Sequence, residues 1–108
     1  NPTNPPRYIH LPMKDGQPDA DVIARWVANA PLAMVTQYIP ALKRYDGIVI
    51  DAGDRDVGIA QTVRQLDRIL GDFGVSHEAM IYEGDHVSAI DARISSKLMP
   101  FFSVRLGQ

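Results

Sequence analysis

Two segments constrain this 108-residue chain more than any others: Ile48-Val49-Ile50-Asp51-Ala52-Gly53-Asp54-Arg55-Asp56 and Ile81-Tyr82-Glu83-Gly84-Asp85-His86. Each is an apolar run that passes straight into a loop carrying carboxylates or an imidazole. Between them Ile59, Val63, Leu66, Leu70 and Phe73 recur at helical spacing and stop at Gly74, a residue suited to the left-handed turn that closes a helix. Strand, helix, strand at this spacing predicts a right-handed βαβ unit within a parallel sheet. Tyr45 to Asp51 does not alternate, so it is expected as a strand buried on both faces. Ser76 to Tyr82 is the next strand. Ile90, Ile94 and Leu98 mark a closing helix, which Pro100 must interrupt or restart before Phe101-Phe102.

Upstream, residues 1–18 hold five of the eight prolines (Pro2, Pro5, Pro6, Pro12 and Pro18). Proline fixes φ and removes a backbone donor, so this stretch reads as an extended or irregular arm. Tyr8, Ile9 and Leu11 in its middle suit a short strand or clip. From Asp19 the spacing of Val22, Ile23, Trp26, Val27 and Ala30 predicts a helix with acids near its positive end. Pro31 fits the first position of a second helix bearing Leu32, Val35 and Ile39, which Pro40 ends or restarts. The organisation expected is therefore an arm over 1–18 and an α/β region over 19–108. Its two strands cannot cover themselves, and several helical stripes lack a full sheet to sit on. The unit reads as one edge of a larger sheet.

Composition narrows the function classes. Net charge is −2 with both signs scattered, which gives no footprint for nucleic acid or an anionic membrane. There is no cysteine, so disulfides, thiolate metal sites and a cysteine nucleophile are excluded. No apolar run reaches the ~20 residues that span a bilayer. The acids Asp51, Asp54, Asp56, Glu83 and Asp85 could together attract a hard cation, but the sequence has neither a D-x-D-x-D-G calcium loop nor an H-x-x-x-H pair. No cofactor-binding or metal-binding residues are assigned.

In an open parallel sheet, chemistry gathers outside the C-terminal ends of the strands, where both loops lie. Neighbouring strands are about 4.8 Å apart, so a carboxylate on the first loop can reach His86 on the second. Such a carboxylate fixes the imidazole's tautomer and stabilises its protonated form. Asp54 and Asp56 are equally placed for this, with Asp51 behind them, and Asp85 is expected to point away. The plainer alternative is that these acids cap turns and the helix that follows. His10 and His77 lack the setting that singles out His86.

From Asp19 through Phe102 the chain resembles the C-terminal part of the α/β-hydrolase esterases related to esterase D, feruloyl esterases and enterochelin esterases. The resemblance is carried by Ala30-Pro31-Leu32 before a helix, by Ile50-Asp51-Ala52-Gly53-Asp54-Arg55-Asp56, by Tyr82-Glu83-Gly84-Asp85-His86, and by the ending Leu98-Met99-Pro100-Phe101-Phe102-Ser103. It implies a Ser-Asp-His triad working on small esters without a cofactor, with Asp56 the acid and His86 the base. The family's nucleophilic serine has no match. Ser76, Ser88, Ser95, Ser96 and Ser103 all lack flanking glycines and a strand-to-helix setting.

The expectation is thus a C-terminal fragment of a serine carboxylester hydrolase, inactive alone and completed by the N-terminal part of the same enzyme. Its start at Asn1-Pro2-Thr3 without methionine reads as a processed, cleaved or trimmed end. The rival expectation is a non-catalytic binding or assembly module on a partial hydrolase sheet, which pairs its open edge with itself or with another chain. A third, weaker one takes Asp51 as a receiver-type acid.

Overall fold

A computed structural model describes residues 8–106. The chain divides into two compact units, Asn1–Val35 and Thr36–Gln108.

In the first unit, part of the proline-rich arm closes on itself. Strands β1 (Met13–Lys14) and β2 (Gln17–Pro18) pair antiparallel. Asp15 and Gly16 between them both take positive φ, +51° and +75°, the requirement of the tight hairpin turn for which Asp-Gly is a preferred pair. The arm is therefore a hairpin at this point and not an extended strap. Its end feeds helix α1 (Ala20–Ala28). Asp19 caps that helix by accepting from the Val22 amide at 3.1 Å, and its own amide donates to the Pro12 carbonyl at 2.8 Å. One aspartate so joins hairpin to helix. The short helix α2 (Pro31–Met34) follows with proline in its first turn. Val22 is buried, but Trp26 and Val27 of the predicted stripe are more than half exposed.

A 3₁₀ turn over Val35–Tyr38 leads to the short helix α3 (Ile39–Leu42). The second unit is then built on two parallel strands, β3 (Val49–Gly53) and β4 (Glu78–Tyr82), joined by the sixteen-residue helix α4 (Val57–Asp72). The fold is mixed α/β. Two sequence expectations shift. Strand β3 begins four residues later than Tyr45, because Asp46 and Gly47 are held by Arg105: its Nε donates to the Asp46 carbonyl at 3.3 Å and its side chain fills the place a Cβ on Gly47 would need. The strand also runs on to Gly53, so Asp51 lies in its middle and not at its end. Full burial in β3 is confined to Ala52 and Gly53 and is reached nowhere in β4, so neither strand is covered along its whole length.

Helix α4 packs on β3 and, less extensively, on β4. Its most buried residue is Ala60, with no exposed surface, followed by Leu70; Ile59 and Phe73, expected in the core stripe, are nearly half exposed. A small side chain at 60 lets the helix axis approach the sheet. The helix ends in a Schellman motif: the Val75 amide bonds the Leu70 carbonyl and the Gly74 amide bonds that of Gly71, both at 2.9 Å. Gly74 has φ +64°. The motif brings together the two ends of a six-residue loop, Leu70 and Val75, and both are buried.

The closing segment is one helical track: α5 (Ile90–Arg93), a π-turn over Ile94–Leu98, and α6 (Met99–Leu106). Pro100 has no amide to give to Ser96. The π-turn just before it absorbs the mismatch, so the track continues where the sequence suggested a break. Two arginines fasten it. Arg93 donates from Nε to Asp51 Oδ2 at 2.9 Å and from Nη2 to the same oxygen, with its guanidinium 4.6 Å from the centre of the Tyr82 ring. Arg105 pairs with Glu78 at 3.5 Å and stacks on Phe101 at 3.9 Å. Their separation of twelve residues (105 minus 93) is about 18 Å along a helix, close to the ~17 Å of a five-residue strand. Between the fastenings the track stands off the sheet, leaving a cavity of about 310 Å³ that Val49, Ile94 and Phe101 help to line.

Ala60→Leu is expected to lower stability by about 1–3 kcal/mol through overpacking at the α4–sheet contact. Arg64→Ala, on the exposed side of the same helix, is expected to stay within about 0.5 kcal/mol. Urea unfolding of the two variants measures both.

Candidate active site

The strand ladder continues into the loops beyond it. The Asp54 amide donates to the Tyr82 carbonyl at 2.8 Å, and the Arg55 amide to the Gly84 carbonyl at 2.9 Å. In return Asp54 Oδ1 accepts from the Gly84 amide at 3.0 Å. Gly53 makes this possible: a Cβ there would run into the Gly84 carbonyl and the Asp85 carbonyl oxygen. The two loops are therefore stitched backbone to backbone, which is stiffer than side-chain contact between free loops.

Asp56 stands at the N-cap of α4, yet its side chain makes no capping bond. It turns instead to His86, with Oδ2 2.6 Å from Nδ1. The carboxylate is mostly covered, 21% exposed, whereas the imidazole is 78% exposed. With Nδ1–H donated to Asp56, Nε2 is left as the free acceptor, and it has no hydrogen-bond partner among the described residues. The hydrogen bond and charge of Asp56 raise the histidine's pKa above its ordinary value, with a smaller contribution from Asp85.

The remaining acids are committed elsewhere. Asp54 holds the His86 loop, as described. Asp85 Oδ1 accepts from the amides of Val87 and Ser88, at 3.0 and 2.8 Å, and these bonds hold its carboxyl below the usual range. Ser88 Oγ accepts from the Asp85 amide at 2.9 Å, so this serine braces the turn. Asp51 is engaged by Arg93, which leaves it unlike a free receiver-type acid. Glu83 meets Arg55 only at 3.9 Å on the surface, a pair of little consequence. Among the described residues no three His, Cys, Asp or Glu side chains group as a metal site, and no helix is long and apolar enough to cross a membrane.

Of the residues singled out by sequence, Asp56 and His86 meet, and Asp54 supports them from the backbone side. Two further side chains carry no signal in the sequence pattern. Arg93 neutralises Asp51, and His77, which lacks the loop setting of His86, is bonded at both ring nitrogens. No local motif announces either one, because each depends on a partner a turn or more away on another element.

The arrangement can take up a proton at Nε2 and hold the resulting imidazolium against a fixed carboxylate. Asp56→Asn is expected to bring the His86 titration midpoint down toward the ordinary value of about 6.5. Asp54→Asn is expected to leave that titration nearly unchanged while weakening protection of the Gly84 amide against hydrogen exchange. NMR titration and exchange of the two variants separate the roles; a His86 midpoint indifferent to Asp56 would undo the assignment. No protein-family model matches the chain, and no curated protein matches it.

Proposed function

We propose that the chain is the C-terminal part of a serine carboxylester hydrolase of the α/β type, supplying the acid and the base of a Ser-Asp-His triad. One observation carries the reading. The Asp56 carboxylate lies 2.6 Å from His86 Nδ1, on adjacent loops at the C-terminal ends of neighbouring parallel strands, with Nε2 turned outward and free. The resemblance of these loops to those of the esterase D group supports the same roles. In the complete enzyme, His86 Nε2 would take the proton of a serine supplied by the preceding part of the protein, then return it to the leaving alcohol. Asp56 would hold the ring and stabilise its charge. The substrate class is small esters, and the acyl-enzyme route needs no cofactor.

A second reading, a non-catalytic assembly module that associates with itself or another chain, accounts for the surface equally well. Ile90, Ile94, Leu98, Met99 and Phe102 of the closing track are all exposed by more than 40%. Such a concentration marks a face that another element covers.

Treatment of the protein from its natural source with a fluorophosphonate, followed by intact mass, decides between them. A labelled species more than twice the 11.9 kDa of this chain and containing its peptides is the expected result. In that species His86→Ala should lower ester turnover by about a thousandfold or more. An unlabelled species of about 12 kDa would sink the hydrolase reading and favour the module.

A further inference from the structure

The second bonded histidine serves no purpose in the site just described. His77 lies between the end of α4 and the start of β4, with its side chain only 9% exposed. Its Nδ1 is 2.8 Å from the Val75 carbonyl and its Nε2 is 2.9 Å from Asp67 Oδ1. A backbone carbonyl can only accept a hydrogen bond, and an ionised carboxylate can only accept one. Satisfying both requires a proton on each ring nitrogen, which is the imidazolium. The neutral ring has one N–H and must abandon either the carbonyl or the carboxylate.

The two bonds join three elements that the chain has just separated. Asp67 belongs to α4, three residues before Leu70. Val75 is the last residue of the Schellman turn. His77 leads into Glu78, the first residue of β4. The latch thus ties the crossover helix, its closing turn and the second strand at the end of the sheet remote from His86.

We infer that His77 is a pH-responsive latch in the βαβ unit, closed when its ring carries both protons and released when the ring loses one. The charged groups around it are few. Asp67 faces it directly from α4 and favours the protonated ring. Glu78, next on β4, is paired with Arg105 of α6. Lys43, after α3, has its ammonium 3.9 Å from where a Cβ on Gly74 would sit, so it lies beside the closing turn. The balance raises the histidine's pKa, chiefly through the Val75 carbonyl and then through Asp67, against the opposing effect of burial.

The sign follows from linkage. A group whose pKa is higher folded than unfolded stabilises the fold fully below its unfolded value, near 6.5, and ceases to do so as pH rises through the folded value. His86 has the same sign, so the two must be separated. Urea unfolding at pH 5.5 and pH 8.5 is expected to show a lower midpoint at the higher pH. His77→Gln should remove more than half of that fall and Asp67→Asn should reduce it, whereas His86→Gln should leave most of it in place. If His77→Gln does not fold, the unsubstituted chain still decides: ¹⁵N correlation spectra of its imidazoles should show both His77 nitrogens protonated at pH 5.5 and a titration midpoint above the ordinary histidine value. A His77 that titrates at or below that value would overturn the inference, as would a fall in stability that His77→Gln leaves intact.

Discussion

Everything in the second unit depends on the parallel register of β3 on β4, in which Val49 faces Glu78 and Gly53 faces Tyr82. Parallel neighbours cannot be joined by a hairpin, so a crossover element must carry the chain back. Here that element is α4. The same register places both post-strand loops at one end of the sheet, and the close approach at Gly53 turns two neighbouring loops into one bonded surface. The Asp56–His86 pair is a consequence of that surface. Its distance is set by backbone bonds at Tyr82 and Gly84, not by two flexible side chains finding each other.

Stability of a two-stranded sheet needs help from outside it. Among the described residues the help comes from α4 on one side and from the arginine-fastened helical track on the other. The two contacts differ in kind. Helix α4 is seated by buried apolar residues, Ala60 and Leu70 foremost. The track is held at its two ends by Arg93 and Arg105, with a cavity between and much of its apolar surface exposed. Bidentate or stacked arginines fix position well but contribute less than burial when they are open to water. A face held in this way suits covering by further protein, which both functional readings require.

The sequence carried the order of elements clearly, because hydrophobic period and Gly-Pro punctuation are local signals. Helix α4 and its glycine stop, the strand-loop pairs and the acids at the start of α1 are all readable, whereas the choice of Asp19 as the cap is not. The hairpin was legible in Asp15-Gly16 but was masked by the surrounding prolines. The offset of β3 was not readable, since it depends on Arg105, almost sixty residues away. The choice between Asp54 and Asp56 shows the limit well. Both sit beside loop glycines, and only the fold shows that one faces a backbone amide while the other, though at a helix N-cap, leaves that duty for the imidazole.

The two histidines show how function follows from where the second ring nitrogen goes. His77 and His86 each have a carboxylate partner under 3 Å, and each is drawn toward its charged form. A proton carrier must keep one nitrogen open to exchange, while the other is fixed to set tautomer and direction. His86 meets that condition, with Nδ1 on Asp56 and Nε2 in solvent. His77 fails it, because its remaining nitrogen is spent on the Val75 carbonyl in a largely covered place. The same pair of residue types therefore makes a candidate base at one end of β4 and a structural cation at the other. Chemical identity and pKa direction alone would rank the two together; the carbonyl of Val75 tells them apart.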